Sequence, residues 1–558
     1  MSSLPGQILR WPYRTCVDSL YTGPAGSGEE QQVDGGMMAL SNLVPDPLTT
    51  DSWVCRPASI ELTSFSGFTS PGFISALLVV GNYAYGMIAE TSGTYAGLDV
   101  PFVYNIPSGS FETIQWLNPT TLVLGAIPAN TLPTSPSTSG AWTPPSLALV
   151  GTKVVVCHPG FNGVTNYVGW IDISTPTAPL WSAGNTAINS LPCVPSWVAQ
   201  FSGRAYYLCN PTTGLPGVLA SDSLDPTTMT NANYVLTFGD NIPLVAAFGL
   251  ALDNQLGGII QSLLVFKSNN IYQITGDPAT SSWVLNSLNV GIGTNSPLSI
   301  CATPEGIAFV APDGMRQIDF NAHVSDPIGM AGTGITAPFK YSSVPSRICA
   351  ACNATTVRIT TRNLLAAGAQ QEWCYDLQRQ IWYGPHTFPA SLIQAYGLRY
   401  VMAPVGVVGS LWISDVIPLS TSTYTENGAG LTWATQTALL PPQQNFMTNY
   451  NIVESQQWAA FDPNASSFVV TAYDENANLL NTCTVSGAIV GGGVWGSGLW
   501  GTMLWGGVGQ ALSPRRLAWT QPLVFARCSI GMTGASAPGV YVSDFIARVE
   551  QLGYVQNQ

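Results

Sequence analysis

"SLLVFKSNNIYQITG", residues 262–276, sets one apolar run against a second run carrying isoleucine and tyrosine, with Lys-Ser-Asn-Asn between them. Two short β-prone runs flanking an asparagine-bearing turn specify a β-hairpin, because asparagine tolerates the left-handed backbone a tight turn needs. The same phrase returns on both sides of it. It reads "SALLVVGNYAYGMIA" from 75, "SLALVGTKVVVCH" from 146, "SWVAQFSGRAYYLCN" from 196, "GIAFVAPDGMRQIDF" from 306 and "LRYVMAPVGVVGSLWISD" from 398. The widest interval holds a further pair, "TTVRITTRN" and "EWCYDLQRQIWYGP", so one more unit fits there.

Hairpins recurring without an exact repeat predict an all-β chain, a degenerate β-propeller of about six blades, each of about four strands. "EWCYDLQRQIWYGP" reads as an outer hairpin, with Trp373 and Trp382 packing between sheets and the turn at "DLQRQ". A tandem of β-sandwiches is the competing fold. We expect the propeller over residues 57–420, preceded by an N-terminal arm or platform segment, 1–56. After a Pro- and Thr-rich break, "NIVESQQWAAF", "SSFVVTAYDEN" and "PGVYVSDFIARVEQLGY" predict a separate β-sandwich platform over 421–558.

Charge is the compositional outlier. Asp, Glu, Lys and Arg supply 8% of 558 residues, against roughly 25% in an average soluble domain. The net charge of −13, with lysine only at 153, 267 and 340, excludes an ordinary nucleic-acid binder, which needs clustered cations to displace counterions from phosphates. No apolar run reaches the ~18 residues of a membrane-spanning helix, and the first residues carry no charged segment leading into an apolar one, so we expect no signal peptide. The eleven cysteines lie scattered in apolar contexts and are expected to be reduced, as in a cytoplasm.

Catalytic signatures are missing: the chain holds no GxSxG elbow, Walker A loop, HExxH or GxGxxG before a helix. His158, His323 and His386 lie far apart in sequence and read as loop or core residues. Cys349 and Cys352 form one "CAAC", but a structural zinc site needs four ligands, so we expect no metal. Asp222, Asp240, Asp313 and Asp415 fall in turns, where aspartate caps its own backbone; a hydrolytic pair among them is the alternative. No enzyme activity and no cofactor are expected.

Several phrases resemble the tail nozzle proteins of short-tailed, podovirus-type bacteriophages, also called packaged-DNA stabilisation or tail tubular proteins. They are "ALSNLVPDPLTTDSWVCRPAS" (39–59), "VLASDSLDPTTM" (218–229), "LLVFKSNNIYQITGD" with "GTNSPLSICATPEGIAFVAPDGMRQID", and "QEWCYDLQRQIWYG". The resemblance implies a structural virion protein. It would form a homo-hexameric ring at the distal end of the tail, bound to portal or adaptor proteins and contacting fibres or the host envelope. Such a ring retains packaged DNA until ejection and lets it pass without sequence-specific binding. The alternative is a carbohydrate-binding or glycan-cleaving propeller used for host attachment; a tail spike would call for a repetitive β-helix, which this chain lacks.

"GGGVWGSGLWGTMLWGG", residues 491–507, sets Trp495, Trp500 and Trp505 five apart, each followed by glycine. That spacing matches neither helix nor strand, so the stretch reads as a glycine-hinged insertion in the platform. Its tryptophans either fill the core between platform and propeller or serve as a subunit contact or gate.

Overall fold

In the computed structural model the described residues are 7–11, 15–16 and most of 36–552. The longest internal stretches outside them are 17–35, 46–51, 137–142, 185–190, 329–338, 363–369, 415–424, 440–448 and 487–512. Among the described residues the elements are β-strands, with short 3-10 turns between some of them.

Seven small sheets follow one another along residues 60–414. The first joins Pro71–Val80, Tyr83–Glu90, Asp99–Asn105 and Ser110–Phe111 in antiparallel order. The second has Ser146–Val150 at one edge and takes in the earlier Gln115–Leu117 and Leu124–Gly125 at the other; the third begins at Trp197–Phe201, the fourth at Ala246–Asp253, the fifth at Cys301–Thr303, the sixth at Cys349–Cys352 and the seventh at Ala390–Tyr396. All six quoted hairpins are present. They are not equivalent, however: those near 75 and 196 are the first two strands of their sheets and that near 146 the two at one edge, whereas those near 262, 306 and 398 are the second and third. This shift of phase explains their uneven spacing. The pair in the widest interval supplies the sixth sheet, with Gln370–Asp376 and Ile381–His386 as its outer hairpin. The described residues thus hold seven such sheets rather than the six counted from hairpins alone.

Strands such as Arg204–Cys209 and Gly306–Ala311 are buried at every position because sheets cover both of their faces. Val155 and Cys157 of the second sheet share a cluster with Tyr207 of the third, and Leu208 with Leu263 of the fourth. Phe266 packs on Phe309 of the fifth at 5.4 Å, and Val310 shares a cluster with Val357 of the sixth. Cys349 packs with Ile393 of the seventh, and Val401 of the seventh with Ile74 of the first. The last sheet therefore packs on the first. Its outer strand is Ile60–Ser64, from before the first sheet, paired antiparallel with Ser410–Ser414.

The chain ends weave two larger sheets. One pairs Gln7–Trp11, Leu43–Pro45 and Trp53–Cys55 with Asn449–Phe461, Ser513–Arg516, Leu523–Phe525 and Val540–Leu552. The other joins Thr15–Cys16 and Gly36–Ser41 to Thr432–Thr437, Cys528–Ala535, Ser467–Asp474 and Leu479–Ser486. They share one core through Met37, Leu40, Trp433, Phe468 and Met532 on one side and Trp53, Ile452, Phe545 and Val549 on the other. Segments 1–56 and 421–558, expected as separate units, contribute strands to the same two sheets.

Candidate functional site

Trp495, Trp500 and Trp505 lie outside the described residues, as does Asp415. What the structure does assemble is a buried polar junction between the end sheets and the sixth and seventh small sheets. Arg56 donates from both Nη atoms to the two carboxylate oxygens of Glu426, at 2.6 and 2.7 Å, and from Nε to Asn42 Oδ1 at 3.0 Å. The Ser59 N–H adds a third donor to Glu426 at 2.8 Å. Arg56 is 1% exposed and Glu426 6%. Burial opposes ionisation of Glu426, but the Arg56 fork and the Ser59 N–H prevail and hold its pKa below the ordinary value.

Asn42 is the hub. It adopts a left-handed backbone, φ 56°, which asparagine accepts more readily than other side-chain-bearing residues. Its amide donates to the Thr432 carbonyl at 2.6 Å and to Thr387 Oγ1 at 2.8 Å, and its Oδ1 accepts from the Thr387 N–H at 3.2 Å. Its own N–H donates to His386 Nδ1 at 3.2 Å. Three chain regions meet on this one side chain. Beyond His386, Arg358 pairs with Glu372 within the sixth sheet, donates to Ser414 Oγ of the seventh at 2.6 Å and lies over the Tyr400 ring.

Glu372, Cys374 and His386 bring ligand-type atoms within 4.8 Å of one another, all buried. Two features oppose metal binding there. His386 Nδ1 already accepts the Asn42 N–H, so the neutral ring carries its proton on the other nitrogen, which is then a donor and not a ligand. Burial first, and then Arg56 and Arg358, also hold the imidazole pKa well below its usual value; the field that repels a proton repels a cation.

Ser75, Asp99 and His158 form a second buried group, the residue types of a hydrolase triad. Both Ser75 Oγ and His158 Nε2 bond the same oxygen, Asp99 Oδ2, the latter at 2.9 Å, while His158 Nδ1 accepts from the Gly160 N–H at 2.9 Å. A triad needs imidazole between serine and carboxylate. Here carboxylate lies between the other two, and the group ties the first sheet to the loop between strands Lys153–Cys157 and Val168–Asp172 of the second.

Cys349 and Cys352 share a strand three positions apart and so point to opposite faces. Cys349 Sγ accepts from the Ile393 N–H at 3.2 Å, whereas Cys352 packs into the cluster shared with the end sheets. Burial pushes the Cys349 thiol up to about 12. The turn aspartates are held locally. Asp222 accepts from Thr228 and Thr230, Asp240 from Lys267 and the Ile242 N–H, and Asp313 from Arg316. His323 lies in a turn, its N–H bonded to Asp319 Oδ1.

Arg56, Glu426, Asn42, Arg358 and Glu372 were not singled out by sequence reasoning. The available signal was a charge inside a β-branched run, as in "TTVRITT", in a chain that spends few charges. Its partner lies too far along the chain to be read.

No family model matches the chain, and no curated protein matches it. Among solved structures, the BBS1N chain of a complex with ARL6DN covers 65% of this chain and 99% of its own at 7% identity and TM-score 0.35. An exo-β-1,3-galactanase from Phanerochaete chrysosporium covers 89% and 100% at 10% identity and TM-score 0.25. A protein from Lactobacillus plantarum covers 62% and 87% at 10% identity and TM-score 0.31. Likenesses at this level decide neither fold nor function.

Proposed function

We propose that this protein is a structural virion component, the tail nozzle of a short-tailed bacteriophage. In this reading the seven small sheets are blades of a β-propeller and the two end sheets are the platform beside it. Six copies surround the channel through which DNA leaves, joined to portal or adaptor proteins above, and the chain carries out no catalysis. The observation that carries the reading is the union of two bodies in one chain: a series of seven sheets whose last packs on its first, and a two-sheet body woven from both chain ends and tied to it by the bonds of Asn42 to His386 and Thr387. A propeller with a platform beside it is the arrangement expected from the hairpin series and the C-terminal strand phrases.

Composition supports it. A net charge of −13 with three lysines gives channel walls that repel phosphates, so DNA slides past. Low charge with 10% aromatic residues suits permanent subunit interfaces, where aromatics are enriched and lysine and acids depleted. The Trp495, Trp500 and Trp505 stretch then serves as a subunit contact or gate. Negative-stain imaging of the purified protein tests the proposal: six subunits about one axis are expected. A monomer that releases reducing sugar from host polysaccharide would overturn it in favour of the glycan-cleaving alternative.

A further inference from the structure

Ten cysteines among the described residues are free thiols, and most are deeply buried. Cys193 differs. It is half-buried in the 191–196 loop that leads into the third sheet, packed on the cluster that holds Cys157 and Cys209. Its side chain lies beside that of Cys209, the last residue of strand Arg204–Cys209, in that cluster. The loop is pinned beside the strand by the Ser196 N–H on the Leu208 carbonyl at 2.8 Å and by Asn210 Nδ2 on Ser196 Oγ at 2.9 Å.

We propose that Cys193 and Cys209 are an oxidisable pair, closing a disulfide between the 191–196 loop and the end of the strand when the protein meets a hydroperoxide. Cys193 is the attacking residue because it alone of the two reaches solvent. The hydrogen bond from the Cys209 thiol, helped by the Asn210 N–H, lowers its pKa to about 7, whereas contact with Cys193 and burial raise that of Cys209. The Cys193 thiolate attacks one peroxide oxygen; the S–O bond forms, the O–O bond breaks, and hydroxide leaves as water with the proton Cys193 gave up. The Cys209 sulfur then attacks the Cys193 sulfur of this sulfenic acid. The S–S bond forms, the S–O bond breaks, and a second water leaves with the Cys209 proton. Two thiols supply the two electrons that reduce one peroxide to two waters.

The test uses the full-length protein treated with a small molar excess of hydrogen peroxide, then denatured and alkylated. The thiol titre should fall from eleven to nine per chain. Trypsin cuts after Lys153, Arg204 and Lys267, so the disulfide should join peptides 154–204 and 205–267, and fragmentation separates Cys193 from Cys157 on the first. In Cys209→Ser, dimedone should trap Cys193 as sulfenic acid; in Cys193→Ser, Cys209 should stay reduced. The melting curve of each untreated variant confirms that it is folded. A Cys157 link, an unchanged titre, or Cys193 passing to sulfinic acid with Cys209 intact would each overturn the proposal.

Discussion

Arg56 and Glu426 stand 370 positions apart in the chain, yet form a two-pronged ion pair with almost no solvent contact. The attraction is offset by the cost of drying both charges, so the pair adds little over an apolar pair of equal volume. Losing one partner is a different matter, because the survivor stays buried and uncompensated. Arg56→Ala should therefore destabilise the fold by about 3–5 kcal/mol, whereas Arg56→Met with Glu426→Leu should restore most of the loss; urea unfolding at pH 7 checks both. His386 gives the junction a pH dependence. Folded, its imidazole stays neutral well below its usual pKa, through burial and then Arg56 and Arg358. Unfolded, it takes up a proton below about pH 6.5. The unfolded chain then binds more protons, so stability falls as pH drops from about 6.5. Glu426, with a depressed pKa in the folded chain, adds a further loss at lower pH as its carboxylate is protonated. His386→Gln should flatten the change in melting temperature between about pH 6.5 and 5 relative to the parent; an unchanged slope would remove His386 as its source.

At the scale of the strand and sheet, local chemistry decided most of what could be read. Each quoted hairpin owes its legibility to a turn residue between two β-prone runs, and Gly81 and Gly151, at φ 58° and 59°, occupy left-handed turn positions that glycine fills without a Cβ clash. Trp373 and Trp382 were legible as well: both are buried on the outer hairpin of the sixth sheet, Trp382 against Phe339 and Tyr375. What stayed hidden was phase. A hairpin looks the same whether it holds the first two strands of a sheet or the middle two, because the run that decides it lies beyond a loop of variable length. Packing between strands is equally invisible from local sequence, and Gly86 shows why. A Cβ there would lie 2.5 Å from both the Ala76 carbonyl oxygen and Phe102 Cε1, so the small residue is needed for close packing and not for a turn. Gly86→Ala should cost about 1–3 kcal/mol through overpacking. Gly239→Ala, where nothing lies within 4 Å, should leave the denaturation midpoint nearly unchanged.

For the whole molecule, the decisive pairings join the two ends of the chain, and long-range pairing leaves no local period to detect. Strand Ile60–Ser64 completes the seventh sheet beside Ser410–Ser414, and Gly36–Ser41 lies on Thr432–Thr437. From sequence, residues 1–56 read as an N-terminal arm or platform segment. The structure places Met37, Leu40, Leu43 and Trp53 in the shared core at 0–3% exposure and Arg56 on Glu426. Burying one such side chain is worth roughly 1.5–3 kcal/mol. Removing four of them and stranding Glu426 therefore costs on the order of 10 kcal/mol, as much as the entire stability of an ordinary domain. A chain of residues 57–558 should consequently fail to form its end sheets. It should expose apolar surface to a fluorescent dye, lose the cooperative melting transition of those sheets and suffer early proteolysis after residue 420. Supplying residues 1–56 as a separate peptide should restore protection, since the strands they pair with remain in the truncated chain. A truncated chain that melts like the full-length protein would show that the first 56 residues are an appendage after all.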